Sequence, residues 1–438
     1  GANKPVDVPS MWQDQLANGI KVLGAQSLET PTTSILIKVP AGQYYETKDK
    51  AGMSSLMAAM LNESTSKRSS EDMSKELQKL GSSVSISSND HYLNININAL
   101  TKNLDKTMAL VNEKMMQPAF KADEFARVKN NVIQGIRNSK KDAGYLASAT
   151  YRKLMFGDTL AGMPDGGTEE TVSKLTVKDI SDFYQRHFKP ADAQLIVVSD
   201  LKEDKLKKTL ATLNSWQGKG PELTLDLAKA DHDKGVIYLV NKDQAAQSAI
   251  RIGKRGIKQD ITGEFYKSYL MNFPLGGAFN SRINLNLRED KGYTYGARSY
   301  FWGDKLTGGY TASAEVRADA TDKSIVEFIN EIKTYREKGI TNDELSFMRK
   351  AINQSDARKY ETPRAKLNFL AQILEHDLAP SFVKERTKIV ESISAEEINA
   401  LAKKHLNIDD MLMVVVGDAK TLKPKLEALN YKVIEQKI

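Results

Sequence analysis

Leu175-Thr176-Val177-Lys178-Asp179-Ile180 recurs as Ile393-Ser394-Ala395-Glu396-Glu397-Ile398. The offset is 218 residues (393 − 175 = 218), and it holds without a gap over the next twenty residues. His187 meets His405, and Leu195-Ile196-Val197-Val198-Ser199-Asp200 meets Met413-Val414-Val415-Val416-Gly417-Asp418. In each copy a helical pattern carries a histidine near its end, and an apolar run of strand length comes after it. An offset of about half the 438-residue chain means one duplicated domain, not a solenoid of short repeats.

The rest of the chain fits two copies of one plan. Residues 20–23 and 34–39 supply strand material, and Leu93-Asn94-Ile95-Asn96-Ile97-Asn98-Ala99 alternates strictly, as a half-buried strand does. Residues 52–61 form a helix that is apolar on several sides and should be buried. Residues 215–233 break the pattern with Gly218, Gly220 and Pro221 and read as a connector, after which the same programme restarts. Thr362-Pro363 reads as an N-cap followed by a proline at the first helical position. The expected fold is therefore α+β. Two repeated domains, 1–218 and 219–438, each carry a mainly antiparallel sheet covered by helices on one face.

Composition excludes several function classes. There are no cysteines, so disulfides, thiolate nucleophiles and cysteine zinc sites are ruled out. That absence fits the cytosol or a bacterial periplasm, with the periplasm expected. The net charge of +7 is scattered without a run or a recognition motif, so no nucleic-acid partner is expected. No apolar run reaches membrane-spanning length. The chain opens on Gly1 with a polar, proline-containing arm over residues 1–10, which leaves room for an upstream signal, linker or domain. The five histidines form no pair at i, i+4, and neither HExxH, HxxEH nor a GxSxG elbow occurs. His187 and His405, at equivalent helix ends, suggest a structural or dipole-capping role.

One stretch of the second copy stands out: Gly276-Gly277-Ala278-Phe279-Asn280-Ser281-Arg282-Ile283-Asn284-Leu285-Asn286-Leu287-Arg288-Glu289-Asp290-Lys291-Gly292-Tyr293-Thr294-Tyr295. It reads as a glycine turn, a helix and a glycine exit into a strand. The two turn glycines are expected to supply unusual backbone angles. Strand alternation puts Tyr293 and Tyr295 on one face. Arg288 and Tyr295 either converge on a ligand, or cap helix carbonyls and pack in a core.

Phe156-Gly157-Asp158, Gly167-Thr168-Glu169-Glu170-Thr171-Val172 and the run Phe183-Tyr184-Gln185-Arg186-His187-Phe188-Lys189-Pro190 resemble the insulinase–pitrilysin (M16) family of zinc peptidases. The glycine turn, Ser281-Arg282 and the Arg288-Glu289-x-x-Gly292-x-x-Tyr295 run resemble its second-half signature. The resemblance covers nearly the whole chain and implies half of a clam-shell chamber. Aligning the family's HxxEH motif to residues 52–61 puts Ser55, Ala58 and Ala59 at the two histidines and the catalytic glutamate. The distant glutamate ligand falls near Gln134-Gly135, where there is no carboxylate. A catalytic zinc needs three protein ligands and an open water site.

The chain therefore resembles the family's non-catalytic subunit or C-terminal half, with no independent activity expected. Zinc would belong to a partner, either an HxxEH subunit or an upstream half of the same polypeptide. The resemblance further implies that Arg288 and Tyr295 reach the partner's site, that Gly276, Gly277 and Tyr293 contact peptide substrate, and that this chain holds no metal. The long glycine loop of mitochondrial processing-peptidase alpha subunits is reduced to Leu275-Gly276-Gly277-Ala278. The competing expectation is a structural or assembly protein on the same fold, as in respiratory-complex core subunits.

Overall fold

A computed structural model describes residues 8–227, 232–356 and 358–437. Residues 1–7 of the N-terminal arm and 228–231 of the connector lie outside the described residues. The first sheet contains β1 (Met11–Gln15), β2 (Lys21–Gln26), β3 (Thr32–Val39), β4 (Ser83–Ser88), β5 (Leu93–Leu100) and β6 (Gln194–Ser199). The second contains β7 (Val236–Asn241), β8 (Gln247–Gly256), β9 (Thr294–Gly303), β10 (Gly308–Arg317), β11 (Leu412–Gly417) and β12 (Lys432–Gln436). Their orders are β1-β2-β6-β3-β5-β4 and β12-β7-β11-β8-β10-β9, so the two sheets share one plan. Pairing is antiparallel except β2 with β6, and β7 with β11 and β12. Six helices shape the repeat and the site: α1 (Met53–Leu61), α2 (Ala122–Ser139), α3 (Ala143–Phe156), α4 (Val177–His187), α5 (Pro363–His376) and α6 (Ala395–His405).

The repeat seen in the sequence forms equivalent pieces of both halves. Thr176 caps α4 by accepting from Asp179 N at 3.2 Å, and the Asp179 carboxylate accepts in turn from Thr176 N. Ser394 caps α6 by accepting from Glu397 N at 3.1 Å. Each cap satisfies an otherwise orphan helix N–H. β6 and β11 are buried at every residue, which explains their continuous apolar runs. The histidines at the helix ends do not serve the helix dipole. Both are buried, and burial lowers their pKa, His187 to about 4, so both are neutral near pH 7. His187 instead packs on Phe183 and His405 on Phe301.

Both faces of each sheet are covered, where one was expected, and the second cover comes from the other half of the chain. Helix α3 lays Tyr151, Met155 and Phe156 on Val236, Tyr238, Leu412 and Val414 of the second sheet. Helix α5 lays Leu367, Leu370 and Ile373 on Leu23, Ala25, Ile196 and Val198 of the first. The physical cause is the central strands: with apolar side chains on both faces, one helical layer leaves half of them in water. Thr362 caps α5 by accepting from Ala365 N at 3.0 Å, with Pro363 at the first position as expected.

Polar bonds also cross between the halves. Lys38 of β3 pairs with Glu375 of α5 at 3.2 Å, and Tyr92 Oη donates to the same carboxylate at 2.5 Å. His91 and Tyr44 Oη both reach Asp304, at 3.0 and 3.1 Å. Burial works against the Asp304 charge. Hydrogen bonds from His91 and from the N–H groups of Leu306 and Thr307 outweigh it and hold the pKa down to about 2. Trp216, at the start of the connector, is buried in the first half and donates to Phe188 O at 3.1 Å. Among the described residues no helix is long and apolar enough to cross a membrane.

Candidate functional site

The expected zinc helix is α1. It starts from Gly52, whose φ of +112° a side chain would strain. The Glu46 carboxylate caps it, accepting from Gly52 N at 3.0 Å and Ser54 N at 2.6 Å. Burial outweighs those two bonds and pushes the Glu46 pKa up to about 7. Ala58 is buried, while Ser55 and Ala59 are half-buried on the same side. Helix α2 faces α1 with Val132, Ile133 and Ile136 packed against the first core, as Ala59 is. Gln134 and Gly135 point to solvent. The contact between the two helices is thus apolar at Ala59, Val132, Ile133 and Ile136. Among the described residues there is no group of three His, Cys, Asp or Glu placed to hold a metal ion.

The glycine turn of the second half is locked to the edge strand β9. Asn272 Nδ2 donates to Ser299 O at 2.8 Å, and Ser299 Oγ returns a bond to Asn272 Oδ1 at 2.7 Å. Asn284 bridges the same two segments, donating to Phe279 O and accepting from Ala297 N. Neither Gly276 nor Gly277 has a positive φ, contrary to expectation. Gly276 is needed for space: a Cβ there would lie 1.9 Å from Ser299 Oγ. Gly277 has no such neighbour, its nearest being 3.6 Å away. Gly292 does take φ +65° and ends the helical segment, its N–H reaching Arg288 O at 3.2 Å. That segment is one α turn, Arg282–Asn284, running into a wide π-helical stretch, Leu285–Asp290.

The two arginines of this segment have different environments. Arg282 is held by Glu344 through two bonds, at 2.7 and 2.6 Å, and lies over the Tyr335 ring. It is a structural residue joined to the second core. Arg288 is only partly buried; its guanidinium lies 4.7 Å from the Phe279 ring centre and pairs with Glu289.

Tyr295 occupies a β-bulge. Ala314 pairs with Ala297 and Val316 with Thr294, so β9 carries one extra residue between them. Thr294 Oγ1 fixes the bulge by donating to Glu315 O at 2.6 Å and accepting from Gly296 N at 3.1 Å. The bulge leaves Tyr295 91% exposed, whereas Tyr293 lies before the strand and is half-buried. Regular alternation therefore does not carry from one tyrosine to the other.

Gly276, Gly277, Phe279, Tyr295, Arg298 and Glu315 line one cavity of about 590 Å³ on the free edge of the second sheet. The structure thus brings three of the expected residues, Gly276, Gly277 and Tyr295, together. Arg288 stands outside the lining, one aromatic ring away, and Tyr293 does not line it. Sequence reasoning missed Phe279, an exposed aromatic beside two glycines, and Arg298, whose guanidinium lies over Tyr300. Chemically the site offers a phenol and a guanidinium beside the bulged end of β9. That set suits hydrogen bonding to an extended peptide.

Residues 21–163 match the family model for insulinase, peptidase family M16, and residues 174–352 match the model for the peptidase M16 inactive domain. The chain is 25% identical to the "non-peptidase homolog YmxG" of Helicobacter pylori over 85% of its length and 86% of that protein's. It is 20% identical to the "uncharacterized zinc protease YmxG" of Bacillus subtilis, over 91% and 96% of the two chains. Its fold is similar to that of a peptidase M16 inactive domain from Pseudomonas fluorescens. The TM-score there is 0.85 at 22% identity, covering 93% of this chain and 98% of that one.

Proposed function

Because the chain belongs to peptidase family M16 and stands in it without the zinc motif, we propose that it is the non-catalytic half of a two-part zinc metallopeptidase. The partner, an HxxEH subunit or an upstream half of the same polypeptide, supplies the zinc and its water. This chain binds the unfolded peptide along the glycine turn and β9. Arg288 holds a substrate carbonyl by charge-assisted hydrogen bonds. Tyr295 donates to the oxyanion that forms when the zinc-bound water attacks the scissile carbonyl. The observation that carries the reading is the Tyr295 bulge. A phenol that is 91% exposed stabilises no core, yet the backbone is bent and bonded to present it.

The test is reconstitution. The chain mixed with its HxxEH partner should cleave an unfolded reporter peptide that neither cleaves alone. Arg288→Ala should lower kcat/KM in that mixture while leaving assembly intact. The competing reading, a structural or assembly protein on the same fold, draws support from the Arg288–Glu289 pair, which already satisfies part of the guanidinium. It requires that Arg288→Ala and Tyr295→Ala leave the kinetics of any complex unchanged.

A further inference from the structure

Strands β8, β9 and β10 line up three polar residues in one row. Ser313 of β10 stands opposite Arg298 of β9 on one side and Arg251 of β8 on the other. Directly opposed residues of antiparallel strands point to the same face of a sheet. Neighbouring strands lie about 4.7–4.9 Å apart, so the two arginines start roughly 10 Å apart with one small hydroxyl between them. All three residues line the cavity of about 590 Å³ beside the glycine turn.

The two guanidiniums lack a counter-charge. Among the described residues neither Arg251 nor Arg298 has an ion-pair partner. Arg251 is half-buried, and its guanidinium donates to Ile250 O at 3.0 Å and, at 3.4 Å, to Ser148 Oγ and Gly144 O of α3. Those bonds hold it in place without neutralising it. Arg298 lies over the Tyr300 ring, 5.2 Å from its centre. Among the described residues Glu315 is the one carboxylate in the lining, and it pairs with neither arginine. Burial and, to a smaller degree, the Arg298 charge push the Arg251 pKa down, against the opposing pull of Tyr300 and Glu315. A charge held partly out of water beside a like charge is unfavourable until an anion joins it.

The hydroxyl between them is an independent observation. Ser313 is 7% exposed, and among the described residues nothing bonds its Oγ. The core hydroxyls of Thr150 and Ser324 are cut off from solvent without a partner; the Ser313 oxygen keeps surface, on the face that lines the cavity. A buried polar group in that state costs stability unless something entering the cavity satisfies it. Two guanidiniums and a hydroxyl offer donors, and the ligand that suits them is an acceptor carrying negative charge.

We propose that the row Arg298–Ser313–Arg251 is a carboxylate-binding site, and that the glycine-turn cavity selects peptides carrying a carboxylate, from an acidic side chain or from the peptide's own C-terminus. A carboxylate has two acceptor oxygens, which can take a guanidinium on each side and the hydroxyl beneath. Arg298 lies three positions along β9 from Tyr295 (298 − 295 = 3), about 10 Å in an extended chain, so one peptide spans both. This selectivity rests on the reading that the cavity receives an extended peptide, and it requires neither zinc nor a partner.

The experiment titrates the full chain alone with three short unstructured peptides, followed by fluorescence anisotropy. One is amidated and carries a single central Glu, one is amidated with Gln in its place, and one carries Gln and a free C-terminus. A carboxylate peptide should bind about tenfold tighter than the amidated Gln peptide, the gain of one charge-assisted bond, and which of the two does so identifies the source. Arg298→Gln should bring that ratio close to one. Lys21→Gln, which removes the same charge from the first half, should leave it unchanged. Both residues are exposed, and circular dichroism establishes that the variants are folded. Equal binding of all three peptides, an unchanged ratio in folded Arg298→Gln, or an equal loss in Lys21→Gln overturns the carboxylate site and leaves peptide binding standing. Absence of binding for every peptide overturns both. A tenfold preference with no cleavage beside the HxxEH partner supports the site and contradicts the peptidase role alone.

Discussion

The Arg288 guanidinium sits 4.7 Å from the centre of the Phe279 ring, joining the helical segment to the glycine turn at the surface. Phe279 is itself 64% exposed, so the contact is not a by-product of core packing. A cation over an aromatic face at an exposed site contributes about 0.5–1 kcal/mol. Phe279→Ala should therefore leave the melting temperature nearly unchanged. In the reconstituted peptidase it should lower kcat/KM by roughly twofold to fivefold, because Arg288 is no longer held. Steady-state kinetics beside a melting curve checks both halves of this expectation.

Gly276 and Gly277 are adjacent but should respond oppositely to a methyl group. Gly276→Ala drives a Cβ into Ser299, whose Oγ and N would lie 1.9 and 2.6 Å away, and should destabilise by about 1–3 kcal/mol. Gly277→Ala meets nothing closer than 3.6 Å at an ordinary φ, and should be neutral or stabilise by up to about 1 kcal/mol. Urea denaturation of the two variants measures the difference.

Glu46 makes stability depend on pH. Its folded pKa, about 7, lies above the ordinary glutamate value of 4.5. Between those values the folded state therefore binds a proton that the unfolded state has released. Stability contributed by this group is fully present below about pH 4.5 and lost as pH rises through about 7, on the order of 3 kcal/mol at the limit. The nearby Asp90 and Asp165 carboxylates act in the same direction as burial. His187, held down to about 4, contributes the opposite slope between about pH 4 and 6.5, so wild type must be compared with a variant. Glu46→Gln should remove the fall between pH 4.5 and 7, at the cost of weakening the cap on α1. Equilibrium unfolding across that pH range decides it.

The exchanged helices predict how the chain behaves when cut. A fragment of residues 1–218 lacks α5 and leaves Leu23, Ala25, Ile196 and Val198 in water. It should be aggregation-prone alone and become soluble when co-expressed with residues 219–438. A monodisperse, cooperatively folding 1–218 fragment would show that the exchange does not stabilise the first half.

The duplication was legible because caps, helical period and fully apolar strands are local signals. Thr362 caps α5 as the sequence suggests, and β6 and β11 are buried throughout. The exchange of α3 and α5 was not legible. An amphipathic face states that a helix must be covered, not which sheet covers it. The absence of an HxxEH motif could be read from residue types alone. The bulge at Tyr295 could not, since it exists only in the pairing of β9 with β10. Gly276 was recognised as a required glycine, but for backbone freedom instead of the close approach of Ser299, a contact across 23 residues of chain (299 − 276 = 23).

The proposed chemistry of this chain rests on one hydroxyl. Tyr295→Phe removes it from a side chain that is 91% exposed, so stability and binding to the HxxEH partner should change little. The decisive measurement is single-turnover cleavage of an unfolded peptide by that variant saturated with its partner. Loss of an oxyanion donor predicts a rate about 100-fold to 1,000-fold below wild type at unchanged assembly. A rate equal to wild type would contradict the account and leave Tyr295 without a part in the chemistry.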